Sequence, residues 1–197
     1  TLGSYIHRSE SNGPWIADED MSHGVFKLHC EAVDPPEEQC LLGFDYVEAI
    51  TRVLVADIDN TSPAVSTIEL EDFTSIEGHV AAGESYPIAL EGNTDGNWTN
   101  YFTVWVDWDQ NGTYDATEMY EIGSITNSTG TDGQQATGTI AVPANAPEGS
   151  TTMRVIKNFG DSPTDPCGAY SFGQAEDYTI IVGDGGEPEP EDCTFEH

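Results

Sequence analysis

Residues 107–118 place oxygen-bearing side chains at the spacing of a calcium-binding loop. The side chains at positions 1, 3, 5, 9 and 12 of this twelve-residue window are those of Asp107, Asp109, Asn111, Asp115 and Glu118. Gly112 stands at position 6, where such a loop turns sharply, and the backbone carbonyl of Thr113 would serve at position 7. Calcium takes about six to eight hard oxygen ligands in a flexible cage. We therefore expect these residues to bind Ca²⁺.

The charge of this loop also favours a bound cation. Its four carboxylates, crowded at about 5–6 Å, would repel one another by roughly 3 kcal/mol per pair at an effective dielectric constant near 20. A divalent cation removes that repulsion. The alternative is a solvated acidic turn without an ion. Magnesium is disfavoured because it requires stricter geometry and fewer carboxylates.

The segments on both sides of the loop predict strands rather than helices. In YFTVWV, residues 101–106, the side chains alternate with period two, so that Phe102, Val104 and Val106 share one face. EMYEIG, residues 118–123, has the composition of a second strand. A calcium sensor converts binding into movement of two flanking helices. We therefore expect a structural cation site that joins two strands.

Strand segments dominate the chain from about residue 47. Each is short and bounded by Gly, Pro, Asn or Asp, and there is almost no helical signal. The sequence therefore predicts an all-β fold, an antiparallel β-sandwich of jelly-roll or immunoglobulin-like type. The seven predicted strands are AITRVLVADI, SYPIAL, YFTVWV, EMYEIG, ATGTIAV, TTMRVIKNF and DYTIIV.

Composition divides the chain into three parts. Residues 1–46 are irregular and contain two of the four cysteines, so we expect an N-terminal extension that packs on the sandwich or donates a strand to a neighbour. Residues 47–182 form the predicted sandwich. Residues 183–197 are rich in Gly, Pro and acidic side chains, which is typical of a flexible tail or a linker.

The chain is strongly acidic, with 36 Asp and Glu against 5 Lys and Arg and a net charge of −31. Such a surface repels the phosphates of nucleic acids and of anionic membranes, so neither is an expected partner. No segment has the apolar length that membrane insertion requires. Cations are the favoured partners, while other protein subunits or a polysaccharide remain open.

The four cysteines are expected to form disulfides. They are Cys30, Cys40, Cys167 and Cys193, and no C-x-x-C pair occurs among them. An even number at wide spacing is typical of disulfides in an oxidising compartment, and four cysteines allow three connectivities. We favour Cys30 with Cys40, which would close a short acidic loop and leave Cys167 for Cys193. The expected location is therefore outside the cell.

Several motifs in one order resemble the GEVED domain family. They are VWVDWDQNGTYDATE, TIAVPANAPEGSTTMRVIK and CGAYSFGQAEDYTIIV, preceded by ITRVLVADIDNTS, LEDFTS and AAGESYPIAL. The resemblance covers about residues 47–182. The motif after which the family is named reads GQAEDY here, because Gln174 and Ala175 replace the usual Glu and Val.

This resemblance implies an extracellular bacterial β-sandwich module, of the kind appended to secreted proteases, adhesins and other surface proteins. It also implies that Asp177, with Glu176 as a second candidate, approaches the calcium loop or holds the last strand against it. The alternative is that both side chains only cap the final strand. Asp72 in LEDFTS is a further candidate cation ligand, or else a turn residue.

The sequence contains no recognised catalytic motif. An H-E-x-x-H zinc helix, a G-x-S-x-G nucleophile elbow and a P-loop are all missing, so we expect no enzymatic activity. Trp15 and Trp98 are candidates for exposed side chains that stack on sugar rings. Trp105 and Trp108 are instead expected to pack beside the loop.

Three classes of function remain open. The leading hypothesis is a non-catalytic, calcium-stabilised extracellular module that serves interaction or presentation in a secreted or cell-surface protein. The second is a self-assembling subunit of an extracellular filament or surface layer. The third is a carbohydrate-binding module that uses the tryptophans.

Overall fold

The computed structural model describes Cys40 and residues 42–183. That part of the chain consists of ten strands and connecting segments in one compact unit. It contains no helix, and therefore none that could cross a membrane. The strands are β1 (Gly43–Val47), β2 (Ile50–Val55), β3 (Ile58–Thr61), β4 (Leu70–Ala81), β5 (Ser85–Gly92), β6 (Thr99–Val106), β7 (Met119–Thr126), β8 (Ala136–Ala141), β9 (Gly149–Phe159) and β10 (Ala169–Gly183).

The strands form two sheets, which confirms the predicted all-β sandwich. Sheet A has the order β1-β10-β9-β6-β7, and β4 also pairs with β10. Sheet B has the order β3-β2-β5-β8. Each of the seven predicted strands corresponds to one of these elements, from β2 to β10.

Two strand pairs in sheet A are parallel and not antiparallel. Strand β10 pairs with β1 at its beginning and with β4 along the remainder, and both partners run in its own direction. Parallel pairing requires a long connection between the paired strands. Here that requirement is met because β10 is the last described strand and its two partners come from the first half of the chain.

The main core lies between the two sheets. The period-two pattern of β6 operates as expected, since Phe102, Val104 and Val106 are fully buried in it. Tyr178 and Ile180 of β10 belong to the same core.

A second, smaller apolar cluster involves the other side of β6. It contains Trp105, which is buried against Phe44, Ile156 and Ala175. Tyr114 from the predicted calcium loop also packs on this cluster. The cluster therefore connects the loop to β1, β9 and β10.

A buried ion pair lies inside the sandwich. The side chain of Lys157 is fully buried, and its Nζ donates to the carbonyl oxygen of Asn93 at 2.8 Å and lies 3.6 Å from Oε2 of Glu48. Asn100 donates a further hydrogen bond to the same Glu48 oxygen. Burial lowers the pKa of Lys157 to about 8, and the charge of Glu48 opposes that shift.

Gly173, the first residue of GQAEDY, occupies a position that only glycine fits. Its φ is 156°, and a Cβ at this point would collide with the backbone carbonyl of Lys157 on β9. The absence of a side chain therefore allows the backbone of β10 to lie close to the Lys157 carbonyl of β9 directly before Gln174.

Candidate metal site between strands β6 and β7

The predicted calcium loop connects the end of β6 to the start of β7. One carboxylate oxygen from each of Asp107, Asp109 and Glu118 lies within 4.8 Å of the others. Asp107 and Glu118 are buried, whereas Asp109 is exposed. Residues that are two and eleven positions apart therefore direct oxygens to one point, as their spacing predicts.

Backbone amides hold the carboxylate of Asp107 in place. Its Oδ1 accepts from the amide of Asn111 at 3.0 Å, and its Oδ2 accepts from the amide of Gly112 at 2.9 Å. The chain reaches this geometry through two residues of positive φ, Gln110 at 57° and Gly112 at 81°. The glycine at position 6 therefore has the conformational role that the sequence pattern predicts.

Glu118 closes the loop from its other end. Its Oε1 accepts from the amide of Asp109 and its Oε2 from the amide of Asp115, both at 3.2 Å. Burial raises the pKa of Glu118, and these amide hydrogen bonds oppose the shift. A cation in the loop would favour the ionised carboxylate further.

The other predicted loop ligands are engaged in local turns. Oδ1 of Asn111 accepts from both the amide and the hydroxyl of Thr113, and Oδ1 of Asp115 accepts from both groups of Thr117. The threonine hydrogen bonds lower the pKa of Asp115. The structure thus brings three of the predicted carboxylates together and leaves Asn111, Thr113 and Asp115 at the exposed rim.

The three convergent carboxylates could hold a metal ion. They offer only oxygen, which suits Ca²⁺ or Mg²⁺ better than metals that prefer nitrogen or sulfur. Two of the three are buried, and two unpaired carboxylates in a shared buried site repel each other strongly. A divalent cation would remove that cost.

Asp177 contacts the loop indirectly. Its carboxylate forms a two-point ion pair with Arg154 on β9, with N–O distances of 2.7 Å for both bonds. The guanidinium lies over the ring of Tyr114, 5.5 Å from its centroid, and the Tyr114 hydroxyl donates to Thr152 at 3.0 Å. Asp177 is therefore joined to the loop through Arg154 and Tyr114.

The disulfide differs from the pairing that the sequence favoured. Cys40 is bonded to Cys167, 127 residues away, so the predicted pairings of Cys40 with Cys30 and of Cys167 with Cys193 are both wrong. The reason is the parallel pairing of β1 with β10, which sets Gly43 opposite Ala169 and brings the preceding segments together. Cys30 and Cys193 lie outside the described residues.

Arg154 also contacts this disulfide. Its Nη1 donates to the carbonyl oxygen of Pro166 at 3.0 Å and lies 2.8 Å from Sγ of Cys40. One guanidinium therefore connects the disulfide, strand β10 and the loop. Sequence reasoning missed Arg154, although only 5 of 197 residues are Lys or Arg and each of them is for that reason conspicuous.

Glu176 and Asp72 lie away from the three convergent carboxylates. Glu176 points into the sandwich, where it accepts from the hydroxyls of Tyr178 at 2.7 Å and Ser62 at 3.2 Å. Asp72 is exposed and accepts from the amide and hydroxyl of Thr74. Asp72 thus has the hydrogen bonds of a turn residue.

Burial raises the pKa of Glu176 to about 7, and the charge of Glu71 adds to the shift, whereas the hydroxyls of Tyr178 and Ser62 oppose it. Its ordinary value is 4.5, so the folded protein keeps a proton on Glu176 at pH values where the unfolded chain has released it. This stabilising contribution is complete below about pH 4.5 and is lost as the pH rises through 7.

We therefore expect the free energy of unfolding to fall by roughly 3 kcal/mol between about pH 5 and 8 because of Glu176. Glu176→Gln should remove this part of the slope, since an amide does not titrate. Urea denaturation at a series of pH values measures it. Glu121→Gln, at an exposed position of β7, is the control and should retain the slope. Equal slopes in Glu176→Gln and the unmodified protein would contradict the assignment.

Three of the four tryptophans lie in the described part of the chain, with the exposure that the sequence suggests. Trp98 is exposed, while Trp105 and Trp108 are buried. The indole Nε1 of Trp108 donates to the hydroxyl of Tyr120 at 2.8 Å, beside the loop. Trp15 lies outside the described residues.

Fold and site together define a β-sandwich module with a carboxylate-lined loop at one end of a sheet. The family model described as GEVED domain matches residues 101–181, which extend from β6 into β10. The matched segment includes both the loop and GQAEDY. The predicted GEVED resemblance is thus confirmed over residues 101–181, while residues 47–100 precede the matched range.

Solved structures show only distant similarity. Superoxide reductase (neelaredoxin) from Ignicoccus hospitalis is 10% identical, with a TM-score of 0.30 over 53% of this chain and 74% of that chain. A family 123 glycoside hydrolase from Clostridium perfringens is 13% identical, with a TM-score of 0.33 over 61% of this chain and 24% of that chain. Such scores support no functional conclusion. A search of curated proteins returned no match.

Proposed function

We propose that this chain is a non-catalytic, calcium-stabilised β-sandwich module of a secreted or cell-surface protein, where it serves interaction or presentation. The observation that carries the proposal is the convergence of Asp107, Asp109 and Glu118 between two strands of a segment that matches the GEVED domain. That family consists of non-catalytic modules, which supports the first part of the proposal.

Calcium is the proposed cation because of the ligand set and the charge. The convergent groups are carboxylates, and the amides of Asn111 and Gly112 keep Asp107 directed toward the site. Asn111, Thr113 and Asp115 lie next to them and would supply further oxygens once they are released from their local turns. This number of oxygen donors, and a rim whose side chains can change their hydrogen bonds, fit Ca²⁺ better than Mg²⁺.

The proposed role of the cation is structural. The loop begins where β6 ends and finishes where β7 begins, so a bound ion would hold these two strands at their ends. Through Tyr114, Arg154 and Asp177 the same loop is connected to β9 and β10. A cation would therefore help to hold four neighbouring strands of sheet A together.

An extracellular location is supported by the disulfide and the charge. Cys40–Cys167 is a long-range disulfide, and such bonds persist in oxidising compartments. The net charge of −31 suits a medium that is rich in salt or calcium, where counterions screen the repulsion between carboxylates.

Removal of calcium is expected to destabilise the protein. For a site that binds at about 10 μM in about 1 mM calcium, linkage predicts roughly 2.7 kcal/mol of stabilisation, which corresponds to roughly 5–10 °C in melting temperature. Scanning calorimetry with calcium and with chelator measures the difference. It should disappear in Asp107→Asn and persist in Asp45→Asn, an exposed position on β1. A melting temperature that changes neither with chelator nor in Asp107→Asn would contradict the proposal.

A further inference from the structure

A row of aromatic side chains crosses the end of sheet A that is opposite the metal loop. It comprises Trp98 before β6, Phe159 at the end of β9, Phe172 in β10 and Tyr46 in β1. Neighbouring ring centroids are separated by 5.6 Å for Trp98 and Phe159, 5.8 Å for Phe159 and Phe172, and 6.1 Å for Phe172 and Tyr46. These four side chains are called the aromatic row below.

Three rings of the aromatic row are open to solvent. The exposed fractions are 56% for Tyr46, 55% for Trp98 and 40% for Phe172. Phe159 lies between Trp98 and Phe172 and meets each of them nearly at a right angle, at 84° and 85°. Contiguous exposed aromatic side chains are characteristic of interaction sites, since such residues are enriched where proteins meet partners.

The exposed charges that adjoin the aromatic row in the sequence are negative, and none of the basic side chains in the described part of the chain forms an ion pair with them. Asp95 and Asp161 are exposed and lie within three residues of Trp98 and Phe159 in the sequence. Every described Lys and Arg is engaged elsewhere in an ion pair. These pairs are Arg52 with Asp59, Arg154 with Asp177 and Lys157 with Glu48.

We propose that the aromatic row is a docking surface for a basic segment of a partner protein. Lysine or arginine side chains would lie over the exposed rings, whose faces attract cations, and would pair with the neighbouring carboxylates. Charge complementarity selects this occupant, because a surface of net charge −31 attracts a basic chain and repels phosphate. A neutral polysaccharide could stack on the rings and donate hydroxyl hydrogen bonds to the carboxylates, but it carries no charge that the negative surface would attract.

This inference rests on the proposed role of the module in interaction and specifies the partner. It does not depend on the cation, because the aromatic row and the metal loop lie at opposite ends of sheet A. The two proposals can therefore fail separately.

The test uses the full chain and a short fluorescent peptide of alternating arginine and glycine, with a peptide of glutamine and glycine as the neutral probe. Anisotropy titration near physiological salt measures affinity. The double variant Tyr46→Ala/Trp98→Ala should bind the arginine peptide about tenfold more weakly, a loss of about 1.4 kcal/mol. Val65→Ala, which alters an exposed apolar side chain outside the row, should leave affinity unchanged.

Two outcomes would overturn the proposal. Equal binding by the double variant and the unmodified protein would mean that the arginine peptide responds only to overall charge. The aromatic row would instead be assigned to sugars if soluble xylan or cello-oligosaccharides bound the unmodified protein but not the double variant, while the two proteins bound the arginine peptide equally. Melting temperatures of the same samples with calcium and with chelator report on the metal loop independently.

Discussion

Replacing Cys40 and Cys167 by serine is expected to lower the free energy of unfolding by about 5 kcal/mol. The disulfide closes a loop with a sequence separation of 127, and the entropy that such a cross-link removes from the unfolded chain grows with loop length. The double variant also removes one contact of Arg154, because Nη1 of Arg154 lies beside Sγ of Cys40. Denaturation in guanidinium measures the loss.

This prediction is checked by chemical reduction of the disulfide as well as by the cysteine substitutions. Reduction of the unmodified protein should reproduce the destabilisation of the double variant, and reductant should change the double variant itself much less. Peptide mapping without reduction should recover Cys40 linked to Cys167. Recovery of Cys40 linked to Cys30 would contradict the structure and restore the pairing that sequence spacing favours.

Lys157→Met is expected to cost about 3–5 kcal/mol, because it leaves the buried carboxylate of Glu48 without its cation. Methionine is chosen because Gly92 lies directly against the aliphatic part of Lys157, which a methionine side chain largely replaces. The thermal midpoint should fall by roughly 10 °C or more. Calorimetry and urea denaturation both measure the effect.

The matched controls separate charge from packing. Glu48→Gln/Lys157→Met removes both charges and should be more stable than Lys157→Met alone, because no uncompensated charge remains. Arg52→Met alters an ion pair at a partly exposed position and should cost no more than about 1 kcal/mol. If Lys157→Met and the double variant were equally destabilised, the loss would come from packing and not from Glu48.

The three strands that sequence reasoning missed are β1, β3 and β4, and all three lie at sheet edges. Edge position alone does not explain this result, because β7 and β8 are also edge strands and were predicted. Strand β3 has only four residues, and the burial pattern of β4 is mixed. Neither sequence therefore offers the apolar alternation on which a strand prediction depends.

In the candidate site, too, some features were predictable from the sequence and others were not. The convergence of Asp107, Asp109 and Glu118 follows from spacing within a single loop, so the pattern of residue types was sufficient to predict it. The ion pair of Arg154 with Asp177 depends on the register of β9 against β10, and no local pattern specifies that register. The loop was thus predictable from sequence, whereas the contacts that support it were not.

By itself, the sequence determined the all-β class, seven of the ten described strands, the GEVED resemblance and the carboxylate loop, because each depends on residues that are close in the chain. Only the tertiary structure decided that Cys40 bonds to Cys167, that Asp177 meets the loop through Arg154, and that four aromatic rings form one exposed row. The physical reason is that these contacts join distant segments. Their partners are set by strand order and register, which emerge only when the two sheets assemble around the common core.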